Sequence, residues 1–179
     1  MNASSKDGNL HDSLHVIQQF GDVLKVKCTK ADLWEVDQQI VLHDEENNNF
    51  SAFLVRKFDT YLYLYTKLRG PSLTERRKLP RMVMSTSSTI HLGDHEMNTN
   101  TVDINWEGFT LAITEESSRL KLKLFKGKPE LTVTLGDCTL RMPVKFIHGK
   151  SSQIKVGVLI SDIDQAMFEK LCNYLITMN

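Results

Sequence analysis

The chain has 179 residues, of which 41% are hydrophobic and 25% are charged. This composition is typical of a folded protein with one large or two small domains, and it excludes disorder of the whole chain. Lys+Arg and Asp+Glu both total 22, so the formal net charge is zero and no global field draws the chain to nucleic acid or to an anionic membrane. The apolar runs are too short to span a bilayer and the polar start is not a signal peptide, so we expect a cytoplasmic protein without membrane insertion.

The cysteines and histidines give no sign of a metal centre or a disulfide framework. Three scattered cysteines, Cys28, Cys138 and Cys172, are odd in number and are expected to be small buried or half-buried hydrophobes. Two histidine pairs have the spacing of metal ligands but no evident third ligand, namely His11 with His15 and His91 with His95. No GxSxG, P-loop or HExxH motif occurs. We therefore expect neither an enzyme nor a bound metal or cofactor.

The N-terminal part of the chain predicts a small β unit behind a polar tail. Residues 1–9 are polar and have the composition of a mobile tail. Leu10, Leu14 and Ile17 recur at helical spacing and predict a short helix. After it, apolar residues alternate with lysines, as in a strand with one buried face. The strands predicted for this unit, which covers residues 10–69, are Val23–Cys28, Gln39–His43, Phe50–Lys57 and Tyr61–Lys67.

A domain boundary is predicted near residue 70, where Gly70, Pro71 and Ser72 interrupt the β pattern. Residues 70–81 then form an arginine-bearing linker. Residues 82–179 show short β-like runs separated by turn residues, a spacing that favours a barrel or a sandwich. The runs are Met82–Ile90, Thr99–Ile104, Gly108–Ile113, Leu120–Phe125, Glu130–Leu135, Thr139–Phe146 and Gln153–Ile160.

The chain ends in a predicted amphipathic helix that packs on this barrel. Ser161 or Asp162 is the predicted cap, with Asp164 or Gln165 three residues later completing a capping box. The apolar stripe consists of Met167, Phe168, Leu171, Tyr174 and Leu175.

Two motifs in the second half occur in the order and at the distance found in the PilZ family. The first is an RxxxR from Arg77 to Arg81, directly preceded by Arg76. The second, Asp103-Ile104-Asn105-Trp106-Glu107-Gly108, resembles the family's [D/N]xSxxG with asparagine in place of serine. The run Val156–Ile160 followed by a helix is similar to the family's ending. The resemblance covers residues 75–179, and the preceding β unit is similar in arrangement to that of two-barrel PilZ proteins.

The resemblance implies a fold and a ligand. The fold is a mostly β protein with a six-stranded antiparallel β-barrel and a C-terminal α-helix. The ligand is the bacterial second messenger cyclic di-GMP, which carries two phosphodiester anions and two guanines. A guanidinium can pair with a phosphate or with guanine O6 and N7, so Arg76, Arg77 and Arg81 are candidate ligand contacts.

The second motif supplies the other candidate contacts. Asp103 and Asn105 alternate, so in an extended segment their side chains share one face. Asp103 is expected to accept from guanine N1 and N2, and Asn105 to bond phosphate or amide edges of the ligand. Gly108 permits a backbone conformation or a close approach that a Cβ would obstruct. Trp106 is more readily explained by packing than by stacking on a base.

These expectations make the chain a receptor in bacterial motility, adhesion or exopolysaccharide control, acting through its domain arrangement or an unidentified protein partner. One alternative stays open because asparagine replaces serine at position 105: a PilZ-like interaction adaptor that binds no nucleotide. A second alternative is a nucleic-acid-binding barrel, with Tyr61, Tyr63 and Tyr65 as its platform. Neutral net charge disfavours it, and the three tyrosines are also explained as one face of a strand.

Overall fold

The computed structural model describes residues 1–44, 46, 48–66, 81–113, 116–147 and 155–177. The chain is mostly β and divides into two compact units, Met1–Leu79 and Pro80–Asn179. Of the predicted linker 70–81, only Arg81 is among the described residues, so the prediction of a linker stays a prediction.

The first unit is a closed six-stranded antiparallel barrel. Its strands follow one another around the barrel in the order β1-β2-β3-β6-β5-β4. Their bounds are Asn2–Ser5 (β1), His11–Phe20 (β2), Val23–Cys28 (β3), Gln39–His43 (β4), Asn49–Phe58 (β5) and Tyr61–Tyr65 (β6). A 3-10 turn, Ala31–Leu33, lies between β3 and β4. The apolar residues that alternate along these strands fill the barrel, and the fully buried ones include Trp34, Ile40, Leu42, Leu54, Leu62 and Leu64.

Two predictions for the N-terminus are wrong. The residues assigned to a mobile tail contain β1, which pairs with β2 on one side and with β4 on the other and so closes the barrel. Ala3 is buried in the core of that barrel. The predicted helix at Leu10, Leu14 and Ile17 lies within β2. Leu14 is buried but Ile17 is 45% exposed, so the helical spacing of these residues does not correspond to one buried face.

The described residues of the second unit form seven strands. Their bounds are Met82–Val83 (β7), Ser87–Leu92 (β8), His95–Ile104 (β9), Gly108–Ala112 (β10), Glu130–Leu135 (β11), Cys138–Ile147 (β12) and Lys155–Ile160 (β13). The sheet runs β10-β13-β12-β11-β8-β9-β7, and β9 also pairs with β10, which closes six of the strands into a barrel. The short strand β7 precedes β8 along the same edge of β9.

A helix replaces one predicted strand of this unit. Glu116–Leu124 forms α1, although the alternating leucines of this segment predicted a strand from Leu120. Leu122 is buried, whereas Leu120 is 57% and Leu124 is 70% exposed. The alternation therefore does not define a buried face, and the segment contains no β-branched residue that would favour a strand.

The C-terminal helix α2, Gln165–Thr177, is confirmed, but it begins later than predicted. Its cap is Asp164, whose Oδ1 accepts a hydrogen bond from the backbone N–H of Met167 at 2.8 Å. The predicted caps Ser161 and Asp162 precede it. Phe168, Leu171, Cys172 and Leu175 form its buried side. Neither helix in the described part of the chain is long and apolar enough to cross a membrane.

Candidate functional site

The end of the RxxxR motif and the start of the second motif meet on the second barrel. Nη1 of Arg81 lies 3.0 Å from Oδ1 of Asp103 and 2.6 Å from Oγ1 of Thr110. The Arg81 side chain is 31% exposed and the Asp103 side chain is 20% exposed, so a dissolved ligand can reach both. The structure therefore brings a guanidinium and a carboxylate together at an accessible position.

Strand register explains why these side chains meet. Asp103 on β9 is the direct partner of Thr110 on β10 and of Val83 on β7. Ile104 is fully buried in the barrel, so its neighbour Asp103 points to the outer face. Arg81 immediately precedes β7, which places its side chain beside this outer face.

The pairing of β9 with β10 is irregular next to the site. Thr110 pairs with Asp103, but the following residue Leu111 pairs with Thr101, so Val102 has no direct partner on β10. This is the geometry of a β-bulge, which re-aims nearby side chains and is common beside binding sites.

Asn105 has a structural role that the sequence did not reveal. It is 6% exposed, and its Oδ1 accepts hydrogen bonds from the backbone N–H groups of Glu107 at 3.0 Å and Gly108 at 2.8 Å. The backbone N–H of Asn105 donates to the Gly108 carbonyl at 2.9 Å. Asparagine and serine both form such local turns with the following backbone. Asparagine in place of serine at position 105 therefore preserves the turn, and the side-chain oxygen Oδ1 of Asn105 already accepts hydrogen bonds within it.

Gly108 begins β10 and pairs with Leu159 on β13. The glycines with positive φ among the described residues are Gly8, Gly21, Gly93 and Gly136. Gly108 is not among them, so its backbone is that of an ordinary strand residue, and the close approach expected at Gly108 stays a prediction. Its part in the site is the N–H that it donates to Asn105.

Trp106 lies in the barrel and not at the ligand face. It is 3% exposed, and its indole lies near the thiol of Cys172 on α2. Burial, together with the charge of Glu169, raises the pKa of Cys172 to about 12, while the neighbouring indole acts in the opposite direction. Trp106 therefore packs the turn against the C-terminal helix, as its interpretation as a packing residue predicted.

The structure also adds a residue that sequence reasoning missed, Thr110. Its hydroxyl accepts a hydrogen bond from Nη1 of Arg81, and on β10 it is the strand partner of Asp103. The only sequence signal for Thr110 is a polar residue two positions after Gly108, inside an otherwise apolar strand. Arg76 and Arg77 lie outside the described residues, so their role stays a prediction.

The tyrosines considered as a nucleic-acid platform are mostly inaccessible. Tyr63 is fully buried and Tyr65 is 3% exposed. The Tyr63 ring packs against Phe20 and edge-on against Phe58. Bases cannot stack on these two rings.

No family model and no curated protein matches this chain. Among solved structures it is similar to YcgR from Escherichia coli in complex with c-di-GMP, with 11% identity, coverage of 99% of this chain and 82% of that chain, and a TM-score of 0.45. It is also similar to the Bacillus subtilis inhibitor of motility MotI/DgrA, with 13% identity, coverage of 98% and 93%, and a TM-score of 0.40.

A third similar structure is the PilZ domain of CeSA from a cellulose-synthesizing bacterium. The identity is 16%, the match covers 55% of this chain and 95% of that domain, and the TM-score is 0.39. The three similar structures include a PilZ domain. Since all three identities are 16% or lower and all three TM-scores lie below 0.5, these similarities assign no function to this chain.

Proposed function

We propose that this chain is a PilZ-type receptor for cyclic di-GMP. The observation that carries the proposal is the guanidinium of Arg81, held 3.0 Å from the carboxylate of Asp103 on an accessible face of the second barrel. The two groups come from the two motifs that resemble the family's binding motifs.

Arg81 keeps donors available for a ligand. Both of its hydrogen bonds within the described residues use Nη1, so Nε and Nη2 have no partner there. A guanidinium presents its donors as a planar fork that matches two acceptors at once. Because Asp103 and Thr110 already restrain the side chain, the fork loses little conformational entropy when it pairs with a phosphate or with guanine O6 and N7.

Asp103 and Val83 complete a surface that suits guanine. Oδ2 of Asp103 has no hydrogen bond to another described residue, so it can accept from guanine N1–H and N2–H. Val83 is the strand partner of Asp103 and is 86% exposed, which leaves apolar surface beside the carboxylate for the face of a purine. Adenine lacks the N1 and N2 donors of guanine, so this arrangement favours guanine.

The two arginines that precede the described part of the site extend it. Arg76 and Arg77 add two more guanidinium groups for a doubly anionic ligand. Family members with an arginine directly before RxxxR tend to hold a stacked pair of ligand molecules, so we expect two nucleotides per chain and fewer in Arg76→Ala. The output is a change in domain arrangement or in the binding of a protein partner, and no catalysis is needed for it.

Thermal unfolding with matched ligands tests the proposal. A ligand that binds only the native state stabilises it by about 2.7 kcal/mol at a concentration 100 times Kd. We expect cyclic di-GMP to raise Tm and cyclic di-AMP, which has the same phosphates, to raise it much less. Equal shifts would show that the site recognises only charge. If cyclic di-GMP produces no shift, the proposal is wrong and the chain is an interaction adaptor that binds no nucleotide.

A further inference from the structure

The second barrel carries a polar depression that neither binding motif includes. Its volume is about 480 Å³, within the range of small-molecule sites. All eight residues around it carry a hydroxyl or a carboxamide and no formal charge. They are Ser87, Ser88, Thr89, Asn98, Thr99, Asn100, Thr132 and Thr134.

The depression lies on the outer face of three neighbouring strands, β8, β9 and β11. Ile90 on β8 and Val133 on β11 point into the barrel and are fully buried, so Thr89 and Thr132 beside them point outward. On β9, Asn100 is exposed and is the strand partner of Ser87. The depression therefore faces solvent.

Part of its hydrogen-bonding capacity is satisfied internally and part is not. Ser88 and Thr99 are buried and bond to each other at 2.7 Å beneath the depression, whereas on its outer face Thr89 donates to Asn98 at 3.3 Å. Ser87 and Asn100 make no side-chain hydrogen bond to any other described residue. One hydroxyl and one complete carboxamide, with its acceptor and two donors, thus point towards an incoming ligand.

The chemistry of the lining restricts the ligand. No charged side chain lines the depression, so a phosphate has no counter-charge there. No aromatic ring lines it either, so a ligand is held there by hydrogen bonds and not by stacking. A carboxamide matches the adjacent acceptor and donor of a base edge, such as guanine O6 and N1–H, and hydroxyls match those of a ribose. These groups suit a neutral nucleoside part.

The depression is aligned with the proposed anion site. Asn100 and Asp103 lie on the same strand, three residues or about 10 Å apart. A nucleotide along β9 would place its phosphates near Arg81 and extend its base and ribose over Asn100. The geometry points to the depression as a nucleoside subsite that binds one guanosine of the ligand through Asn100 and Ser87, an inference that rests on the proposed function.

Calorimetric titration of cyclic di-GMP into the full chain tests this subsite. Asn100→Ala is the variant, and Asn173→Ala on the exposed side of α2 is the matched control. A base pairing with one carboxamide is typically worth about 1–3 kcal/mol, so we expect Asn100→Ala to weaken binding about 5- to 150-fold and Asn173→Ala to leave it unchanged. Because the lost contact is uncharged, the fold-change should be the same at low and high salt, whereas the loss in Arg81→Ala should depend on salt.

The outcomes separate the subsite from the receptor function. If wild type binds and Arg81→Ala loses binding while Asn100→Ala and Ser87→Ala bind as wild type, the subsite is wrong and the receptor proposal stands. A loss in Asn100→Ala that depends on salt as strongly as that in Arg81→Ala also overturns the subsite, since it indicates a phosphate contact. If the wild type does not bind cyclic di-GMP, the proposed function is wrong, and the subsite, which depends on it, is wrong as well.

Discussion

At the scale of single residues, the candidate site separates into groups that contact solvent and groups that hold the backbone. Arg81 and Asp103 are accessible and hold each other in place. Asn105 is buried, and its side-chain oxygen Oδ1 accepts hydrogen bonds from the backbone of the turn that follows β9. The predicted ligand contact of Asn105 remains a prediction, but only its amide nitrogen has no hydrogen bond to a described residue.

The role of Asn105 gives a test in which two substitutions are expected to differ in their cost to stability. Asn105→Ala leaves two backbone N–H groups without an acceptor, so the free energy of unfolding should fall by about 1–3 kcal/mol. Asn105→Ser keeps an acceptor and should cost less than about 1 kcal/mol. Urea unfolding measures both, with Asn173→Ala as the exposed control. If Asn105→Ala is as stable as the control, the turn does not depend on this side chain.

Binding by the serine variant then shows whether the amide also contacts the ligand. Because serine can maintain the turn, we expect Asn105→Ser to bind cyclic di-GMP about as well as wild type, or more tightly if the larger asparagine crowds the site. Clearly weaker binding by a stably folded Asn105→Ser would place the amide nitrogen in the binding site.

At the scale of elements, the sequence predicted strands well where alternation covers a complete buried face. Gln39–His43 and Glu130–Leu135 have the predicted bounds. The prediction failed in β2 and α1, because the spacing of a few apolar residues matched a helix in the strand β2 and a strand in the helix α1. The α1 segment is rich in leucine and lysine, which are good helix formers, so helix propensity would have predicted the helix that the alternation missed.

Part of the candidate site could also be predicted from the sequence. The motifs identify Arg81 and Asp103, whereas the place of Thr110 depends on strand register, which no local sequence pattern encodes.

The first strand could not be predicted from local pattern at all. Asn2–Ser5 has small polar residues and no alternation, and it becomes a strand because β2 and β4 need a partner to close the barrel. A charge introduced at the buried position Ala3 tests this. We expect Ala3→Asp to lower the free energy of unfolding by about 3 kcal/mol or more.

Asn2→Asp is the matched control, because it makes the same kind of change at the exposed neighbouring position of the same strand. It should change the unfolding free energy by less than about 0.5 kcal/mol. If both substitutions change the free energy of unfolding in urea by the same small amount, residues 1–9 form a tail and not a strand of the barrel.

At the scale of the whole molecule, the chain consists of two β units joined by a basic segment. Of its cations Arg76, Arg77, Lys78 and Arg81, only Arg81 is among the described residues, and their like charges are expected to repel one another. A doubly anionic ligand would neutralise this repulsion, so ligand binding and ordering of the segment are expected to be coupled. Because the segment connects the units, we propose this coupling as the route from the ligand to a partner surface.

Limited digestion with trypsin tests this coupling. Cleavage at residues 76–78 should be rapid in the free protein and strongly slowed by saturating cyclic di-GMP. Lys126, an exposed residue in the loop after α1, is the internal control, and its cleavage should not change. Equal resistance of the basic segment with and without ligand would mean that it is preformed, even if binding itself is observed.

The most direct test of the receptor function is a calorimetric titration of cyclic di-GMP into wild type, Arg81→Ala and Arg141→Ala. Arg141 is the matched control, an exposed arginine paired with Glu130 on the same barrel. We predict that wild type and Arg141→Ala bind alike, and that Arg81→Ala loses about 1.5–3 kcal/mol of binding free energy, as Arg77→Ala should. Absence of binding by wild type at high micromolar ligand, or equal binding by Arg81→Ala, would contradict the account.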